Sequence, residues 1–541
     1  MLKEFGRRSS KGSHMTKKTT AVLVGALAAL LTAAPATAEI AVGVSDDLPM
    51  GAGDGGEAFY DSMQDIGLRE NRIAVRWDAN APSAIPHEAG VERAITEARA
   101  RGVNVVLSLY PNGPRSIADN PAAAGQFVAW VAQVARRYPD VRDFIVGNEA
   151  NVNRFWQPQY GPTGKAVSCA TYTGVLAAAY DALKGVNPGL NVIGVGLSPR
   201  GNDDPRARSN PSVSPVRCIR DMGAAYRRSK RTRPLMDELS FHPFPNLNTD
   251  PLGRGYQWPN AGLANLDRLK QAVWDAFYAT GQPVFPESSF GRFGALASLT
   301  AADSLRFRLN EVGWQVEIVP SAQAAYHGKE TVATTDEASQ AQIYGDAVAF
   351  IACDPAVRSL LFFHLTDDPD LDRWQSGLIR ADGTRRPAYA SVKAAIARTG
   401  GRCAGVTTAW RHATTVIGAS ARFPFQRRVA AKTRSWKPVT TALEATKYHA
   451  GIFRVPRLRT PTGKARSKIQ RALLRAKPSG AALAKKGTVQ AYRESVVVFP
   501  AKKLKPGKYV YALQLFAETN ATRKSFFVSK AFEVVGKKKK R

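Results

Sequence analysis

Two glutamates stand where short apolar runs end. Glu149 closes the stretch V-R-D-F-I-V-G-N-E that begins at Val141, and Glu311 sits in L-R-F-R-L-N-E-V-G-W, which begins at Leu305. A carboxyl pair of this kind is what the cleavage of a glycosidic bond requires. One member must hold a proton near neutral pH to give to the departing oxygen, while the other stays ionised to stabilise or attack the anomeric carbon. Environment makes that division: apolar walls and a second carboxylate raise a carboxyl's pKa, whereas an arginine or hydrogen-bond donors keep it charged. Glu287, in G-Q-P-V-F-P-E-S-S-F-G, competes with Glu311 for the second role.

Such residues act only if the chain brings them together, so the elements around them come next. β-Branched and aliphatic runs at 40–44, 72–77, 103–109, 143–146, 191–197, 238–242, 305–310 and 359–364 read as strands. Alanine-rich amphipathic stretches at 91–101, 122–137, 172–184, 263–279 and 337–352 lie between them, with Gly102, Pro139, Asn187-Pro188-Gly189 and Gly281 as breakers. The alternation predicts an α/β fold, a (β/α)8 TIM barrel over residues 39–402 with enlarged loops. A doubly wound open sheet is the competitor. Its phosphate-cradling turn has one candidate, Gly51-Ala52-Gly53-Asp54-Gly55-Gly56, whose spacing fits no phosphate motif and reads as a flexible loop.

In a barrel, function collects at the C-terminal ends of the strands. Those ends hold Arg72, Trp77 and Asp78, then Tyr110, Asn148 with Glu149, Ser198, His242, Glu311, and finally His364 with Asp367. Glu311 is preferred to Glu287 because a longer strand precedes it and a loop, a helix and the last strand follow in order. Choosing Glu287 would leave 305–310 without a place among eight strands. Arg72 and Arg76 share one strand face, so alternation alone does not choose between them.

The N-E after the fourth strand, R-I-A-V-R-W in the second, E-V-G-W at the seventh, and F-F-H-L-T-D-D-P with W-Q-S-G-L-I-R-A-D-G-T-R-R-P-A-Y near the end resemble the clan-A glycoside hydrolases, the group that includes families 5 and 39. The resemblance spans roughly residues 39–400. It implies a retaining, double-displacement O-glycosidase with Glu149 as general acid/base and Glu311 as nucleophile. It further implies Asn148 on the sugar 2-hydroxyl, Arg72 beneath the nucleophile, His242 beside the carboxylates and Trp374 as an aromatic floor. Trp77 and Trp314 complete the expected substrate-binding set. Two carboxyls about 5–5.5 Å apart imply retention, and about 6.5–9.5 Å inversion. A non-catalytic carbohydrate-binding barrel is the alternative reading.

The rest of the 541-residue chain sets the context. Residues 1–14 read as an expression leader. Residues 15–38, with Lys17-Lys18, an apolar run and Ala36-Thr37-Ala38, read as a signal peptide, an uncleaved anchor being the alternative. Export makes disulfides the expected state of Cys169, Cys218, Cys353 and Cys403. Three pairings exist; Cys169 with Cys218 and Cys353 with Cys403 are favoured because each pair brackets a neighbouring stretch, with free buried thiols as the alternative. The seven histidines are scattered and no H-E-x-x-H or G-x-S-x-G occurs, so neither a metal, a cofactor nor a serine nucleophile is expected.

The formal charge of +32 is concentrated at one end, since residues 401–541 carry 33 Lys+Arg against 4 Asp+Glu. Strand-like runs at 414–419, 451–454, 495–499, 509–516 and 525–535, with a helical stretch at 465–476, predict a small basic β-sandwich over 403–535, then a charged tail at 536–541. Such a domain fits contact with an anionic polymer or cell wall at the cell surface, as well as a sugar-binding or spacer role. Specific nucleic-acid recognition is not expected, because no helix-turn-helix or zinc spacing is present. The mature chain is expected to have no membrane span and an oligo- or polysaccharide partner.

Overall fold

The structure, a computed structural model, describes residues 39–257, 259–286, 304–405 and most of 407–536. The leader, the export segment, Glu287, the 414–419 strand before Ala419 and the tail from Lys537 lie outside the described residues. Parallel strands β1 (Ala41–Ser45), β2 (Glu70–Trp77), β3 (Asn104–Pro111), β4 (Asp143–Val146), β5 (Asn191–Leu197), β6 (Glu238–Phe241), β7 (Arg306–Val312) and β8 (Val357–Phe362) pair in chain order, and β8 closes on β1. Helices α1 (Glu57–Ile66), α2 (Glu88–Ala100), α3 (Ala123–Arg137), α4 (Ser168–Val186), α5 (Pro215–Ser229), α6 (Leu266–Phe277), α7 (Glu337–Ile351) and α8 (Pro387–Thr399) follow the strands in turn. The fold is the expected TIM barrel.

Strand periodicity divides the side chains between two environments. On β2, Ile73, Val75 and Trp77 join the core shared with the helices, while Glu70 and Arg72 face the barrel interior. The interior is not uniformly apolar. Near the N-terminal ends of the strands Arg308 of β7 donates to Glu70 and Asp143 at 2.6 Å each and also to Glu238, so β2, β4 and β6 meet on one guanidinium. This explains why β2 starts at Glu70, earlier than expected. Both added residues are polar and buried: Glu70 meets Arg308 inside the barrel, and Asn71 donates to the Tyr60 hydroxyl of α1 on the helix side at 3.2 Å.

Gly51–Gly56 is not a flexible loop but an ordered entry to α1. Asp54 caps it by accepting the Gly56 N–H at 2.9 Å and the Ala58 N–H at 3.1 Å. Cys169–Cys218 ties α4 to α5, and Cys353–Cys403 joins the segments that follow α7 and α8, the favoured pairing.

Beyond the barrel, strands β9 (Ala419–Arg422), β10 (Arg428–Ala430), β11 (Val439–Ala442), β12 (Thr446–Arg454), β13 (Ala481–Val489), β14 (Ser495–Val496), β15 (Gly507–Ala517), β16 (Lys524–Val528) and β17 (Phe532–Val535) form two sheets, β10-β17-β15-β12-β13 with β16 beside β15, and β14-β11-β9. Ile452, Tyr511, Leu513 and Val497 fill a core on one side of the larger sheet. A helix, α9 (Gly463–Leu474), lays Ile469 and Leu473 against Phe453, Val510 and Ala512 on its other side. The larger sheet is thus covered on both faces, which is why β15 reads from Tyr509 to Phe516 as an apolar run broken only by the buried Gln514, rather than as an alternating one. The 525–535 run, expected as one strand, divides into β16 and β17.

Candidate active site

The floor of the site is built on Arg72. Its Nη1 donates to Glu311 Oε1 at 2.6 Å and to Ser45 Oγ at 2.9 Å; its Nη2 donates to Asn148 Oδ1 at 2.8 Å and to Ser108 Oγ at 3.0 Å. One planar cation therefore fixes groups from β1, β3, β7 and the end of β4. Arg76, the rival on the same face, lies further out and donates from Nε to the Tyr110 hydroxyl at 3.1 Å.

Two irregular strands aim the remaining groups. On β7 the register against β8 steps from Leu309↔Leu360 to Val312↔Phe362, three residues opposite two. All four named residues lie in the helix-side core, so the extra residue lets Asn310 and Glu311 both turn inward. Asn310 accepts from Ser240 Oγ at 2.9 Å, and Glu311 meets Arg72. On β5 the same step occurs between Gly194↔Leu239 and Leu197↔Phe241, with Val195 at φ 90° and Gly196 at φ 57°. A Cβ on Gly196 would stand 3.2 Å from His242 Nε2, so glycine there makes room for that ring.

Glu149 is held by its backbone. Its N–H donates to Gly196 O at 2.7 Å, and its φ is 41°, in the left-handed region a glutamate adopts only under constraint. Gly147 before it has φ 92°, and a Cβ there would approach the Tyr172 ring to 2.6 Å. The Tyr172 hydroxyl accepts the Val195 N–H at 3.1 Å and donates to Val146 O, locking β4 to β5 beneath the glutamate.

His242 links the two carboxylates. Its Nδ1 lies 3.1 Å from Glu149 Oε1 and 3.5 Å from Glu311 Oε2, and its Nε2 is buried without a partner. Nδ1 is the ring nitrogen that faces both carboxyls, and toward the ionised form of either one it acts as a donor, which leaves Nε2 bare. Burial pushes His242 down to about 4, against the pull of Glu311 and with the help of Arg72, so the ring is neutral at ordinary pH. Burial raises Glu149 to about 7, opposed by Arg72, the Ser198 side chain, Arg154 and Arg200. Glu149 is thus a carboxyl that holds its proton near neutrality, while Glu311 carries a guanidinium on one oxygen.

One oxygen of each glutamate and a ring nitrogen of His242 lie within 4.8 Å of one another, a donor set of the kind that holds a divalent cation. Arg72, at 2.6 Å from Glu311, already places a positive charge there and opposes a metal in that position.

A cavity of about 1350 Å³ opens over this floor, lined by Arg72, Tyr110, Asn148, Glu149, Glu311 and Trp374 among others. Trp374 forms its aromatic wall with Phe244, at a ring separation of 4.5 Å, and Phe363, at 5.6 Å. Ser198, His364 and Asp367 also line it, although Asp367 is committed to Arg386 at 2.6 Å and to the Tyr326 hydroxyl.

Two expected substrate contacts are corrected. Trp77 is fully buried on the helix side of β2 against Phe127, its indole N–H on Pro82 O. Its odd-numbered parity with Ile73 and Val75 turns it away from Arg72. Trp314 is buried with its indole N–H on Asp250 O at 2.9 Å and its backbone N–H on the Tyr344 hydroxyl, so it anchors the loop after β7 from behind. Sequence reading missed Ser45 and Ser108, although both share the inward parity of their strands, and it missed Phe244 and Phe363, for which no local signal exists.

Fold and site together define a TIM barrel with a carboxylate pair and a buried arginine at its C-terminal rim. No protein-family model and no curated protein sequence matches the chain. Among solved structures it is similar to a family 39 glycoside hydrolase from the gut symbiont Bacteroides cellulosilyticus WH2, at 15% identity over 86% of this chain and 81% of that one, with a TM-score of 0.43. It is also similar to the GH39 enzyme from Xanthomonas axonopodis pv. citri, at 14% identity over 86% and 92% of the two chains (TM-score 0.43). A third is the endo-beta-1,4-mannanase from Thermotoga petrophila, at 10% identity over 93% and 99% (TM-score 0.38).

Proposed function

We propose that the chain is a retaining glycoside hydrolase that cleaves O-glycosidic bonds by double displacement, with Glu149 as general acid/base and Glu311 as nucleophile. The observation that carries this reading is the placement of oxygens from both glutamates within 4.8 Å of each other, one carboxyl protonated near neutrality and the other paired with Arg72. So close an approach favours the retaining separation of about 5–5.5 Å over the wider inverting one.

The steps follow from these groups. Glu311 attacks the anomeric carbon as Glu149 gives its proton to the departing oxygen, forming a glycosyl ester on Glu311. Glu149, now ionised, then takes a proton from water, which displaces the ester and restores both carboxyls. Asn148, oriented by Arg72, presents its amide N–H2 to the sugar, and Trp374 supplies the apolar face against which a pyranose packs. The Ala36-Thr37-Ala38 segment and the two disulfides support action outside the cytoplasm, and no described helix is long and apolar enough to cross a membrane.

A panel of aryl glycosides assayed with wild type, Glu149→Gln and Glu311→Gln tests this reading, with the anomer of the first product read by NMR. Release of the phenol with retained configuration, lost in Glu311→Gln, is expected. Wild type as inert as Glu311→Gln on every glycoside would leave a sugar-binding barrel instead.

A further inference from the structure

The cavity is electrically divided. Its wall near β1 and β8 carries Asp46, Asp47 and Asp368, and its wall after β4 and β5 carries Arg154 and Arg200. Asp46, Asp47 and Asp368 are engaged within the protein, while Asp372 beside them is exposed. Asp46 accepts backbone N–H groups of Leu48, Leu365 and Thr366, Asp47 accepts that of Ala74 at 2.7 Å, and Asp368 faces Arg373 at 3.3 Å.

The two arginines differ from these. Both are exposed to the cavity, and among the described residues neither has a carboxylate within ion-pair distance. Both stand on the Glu149 side: Arg154 belongs to the loop that Glu149 begins, and Arg200 follows β5, whose Gly196 carbonyl holds the Glu149 N–H. The proton donor of a glycosidase faces the leaving group, so this wall borders the part of the substrate that departs. A guanidinium presents a planar fork of donors matched to a carboxylate or sulfate, and two of them on one wall of a cleft leave charge for a ligand to complete. Independently, the +29 balance of residues 401–541 would concentrate an acidic polymer around the same chain.

We infer that the leaving-group side of the cavity receives an acidic sugar, its carboxylate or sulfate held by Arg154 and Arg200, so that the substrate is an anionic glycan. The inference rests on the glycosidase reading and names the substrate class of that same site.

The test compares aryl glycosides of one sugar that differ only in the leaving group: 4-nitrophenyl, 3-carboxy-4-nitrophenyl and 3-sulfo-4-nitrophenyl. Turnover is measured on the full chain, and binding is measured by calorimetry on full-length Glu311→Gln. Wild type is expected to favour an anionic leaving group by about tenfold or more in kcat/KM at low salt, and Glu311→Gln to bind it correspondingly tighter. In Arg154→Gln/Arg200→Gln backgrounds both ratios fall to about one, whereas the basic C-terminal region is unchanged. Preference for the carboxylate alone identifies a uronate-like group, and preference for both anions a general anion subsite. Turnover without preference, or a preference that survives the double substitution, overturns the inference and leaves the glycosidase standing. Selective, arginine-dependent binding without turnover by wild type sinks the glycosidase reading and keeps the anion site.

Discussion

Arg72 and Glu311 form an ion pair of 2.6 Å between side chains that are 5% and 11% exposed. Few positions in the barrel tie so much to one bond, because the same guanidinium also holds Asn148, Ser45 and Ser108. Arg72→Met should leave a buried carboxylate without its counter-charge, with a stability loss of about 3–5 kcal/mol by urea unfolding. Arg72→Lys keeps the charge but lacks the fork, so kcat/KM should stay at least about 100-fold down while much of the stability returns. Full activity in Arg72→Lys would mean that charge alone matters.

The two glutamates should respond differently to an external nucleophile. With an activated dinitrophenyl glycoside, Glu149→Gln still forms the glycosyl ester but loses the base that activates water. Added azide should then restore turnover and yield a glycosyl azide of retained configuration. Glu311→Ala should yield azide of inverted configuration, since the small anion enters the space the carboxylate left. Interchanged outcomes would exchange the two roles.

Glu149 also sets a pH limit. It must be protonated to act first, so kcat/KM should fall as pH rises through about 7, and Glu149→Gln should lack that limb on substrates with good leaving groups. Stability follows the same group. Its pKa is raised from the usual 4.5 to about 7, so the folded state holds a proton that the unfolded chain releases between those values. The stabilisation is complete below about pH 4.5 and is lost as pH rises through 7, by on the order of 3 kcal/mol. Glu149→Gln should therefore be more stable than wild type at pH 8 by calorimetry, and equal at pH 4.

Three tryptophans should separate into two kinds. Trp77→Ala empties a filled site between β2 and α3 and should cost about 3–5 kcal/mol, and Trp314→Ala should behave similarly. Trp374→Ala, on the cavity wall, should cost less than about 1 kcal/mol and appear instead as a raised KM. A raised KM for Trp77→Phe at undiminished Tm would contradict its placement in the core.

The barrel was readable because eight apolar runs alternate with amphipathic helices, a pattern that burial on both strand faces imposes. The site was readable in part. Gly147 before Asn148-Glu149 and Gly194-Val195-Gly196 in β5 announce backbone that departs from a plain strand, and the structure has its irregularities there. The β7 bulge carries no such sign. Simple alternation from Arg308 would send Glu311 toward the helices, and only the missing register step, a property of β8 as much as of β7, brings it inward. Trp77 is the opposite case: its parity with Ile73 and Val75 is legible and points it to the helices, although it stands at a strand end. Phe244 comes from the loop after β6, which no local pattern could join to Trp374, and Phe363 shares the loop after β8 with Trp374 without a spacing that marks the two as one wall.

Arg308 has a bearing on how the barrel comes into being. It waits on β7 for carboxylates from β2, β4 and β6, so a chain that has made only its first six strands carries three buried acids with no cation among them. Half of this barrel is therefore a poor candidate for independent existence, and splitting the gene between β4 and β5 should yield two insoluble fragments rather than two domains that reassemble.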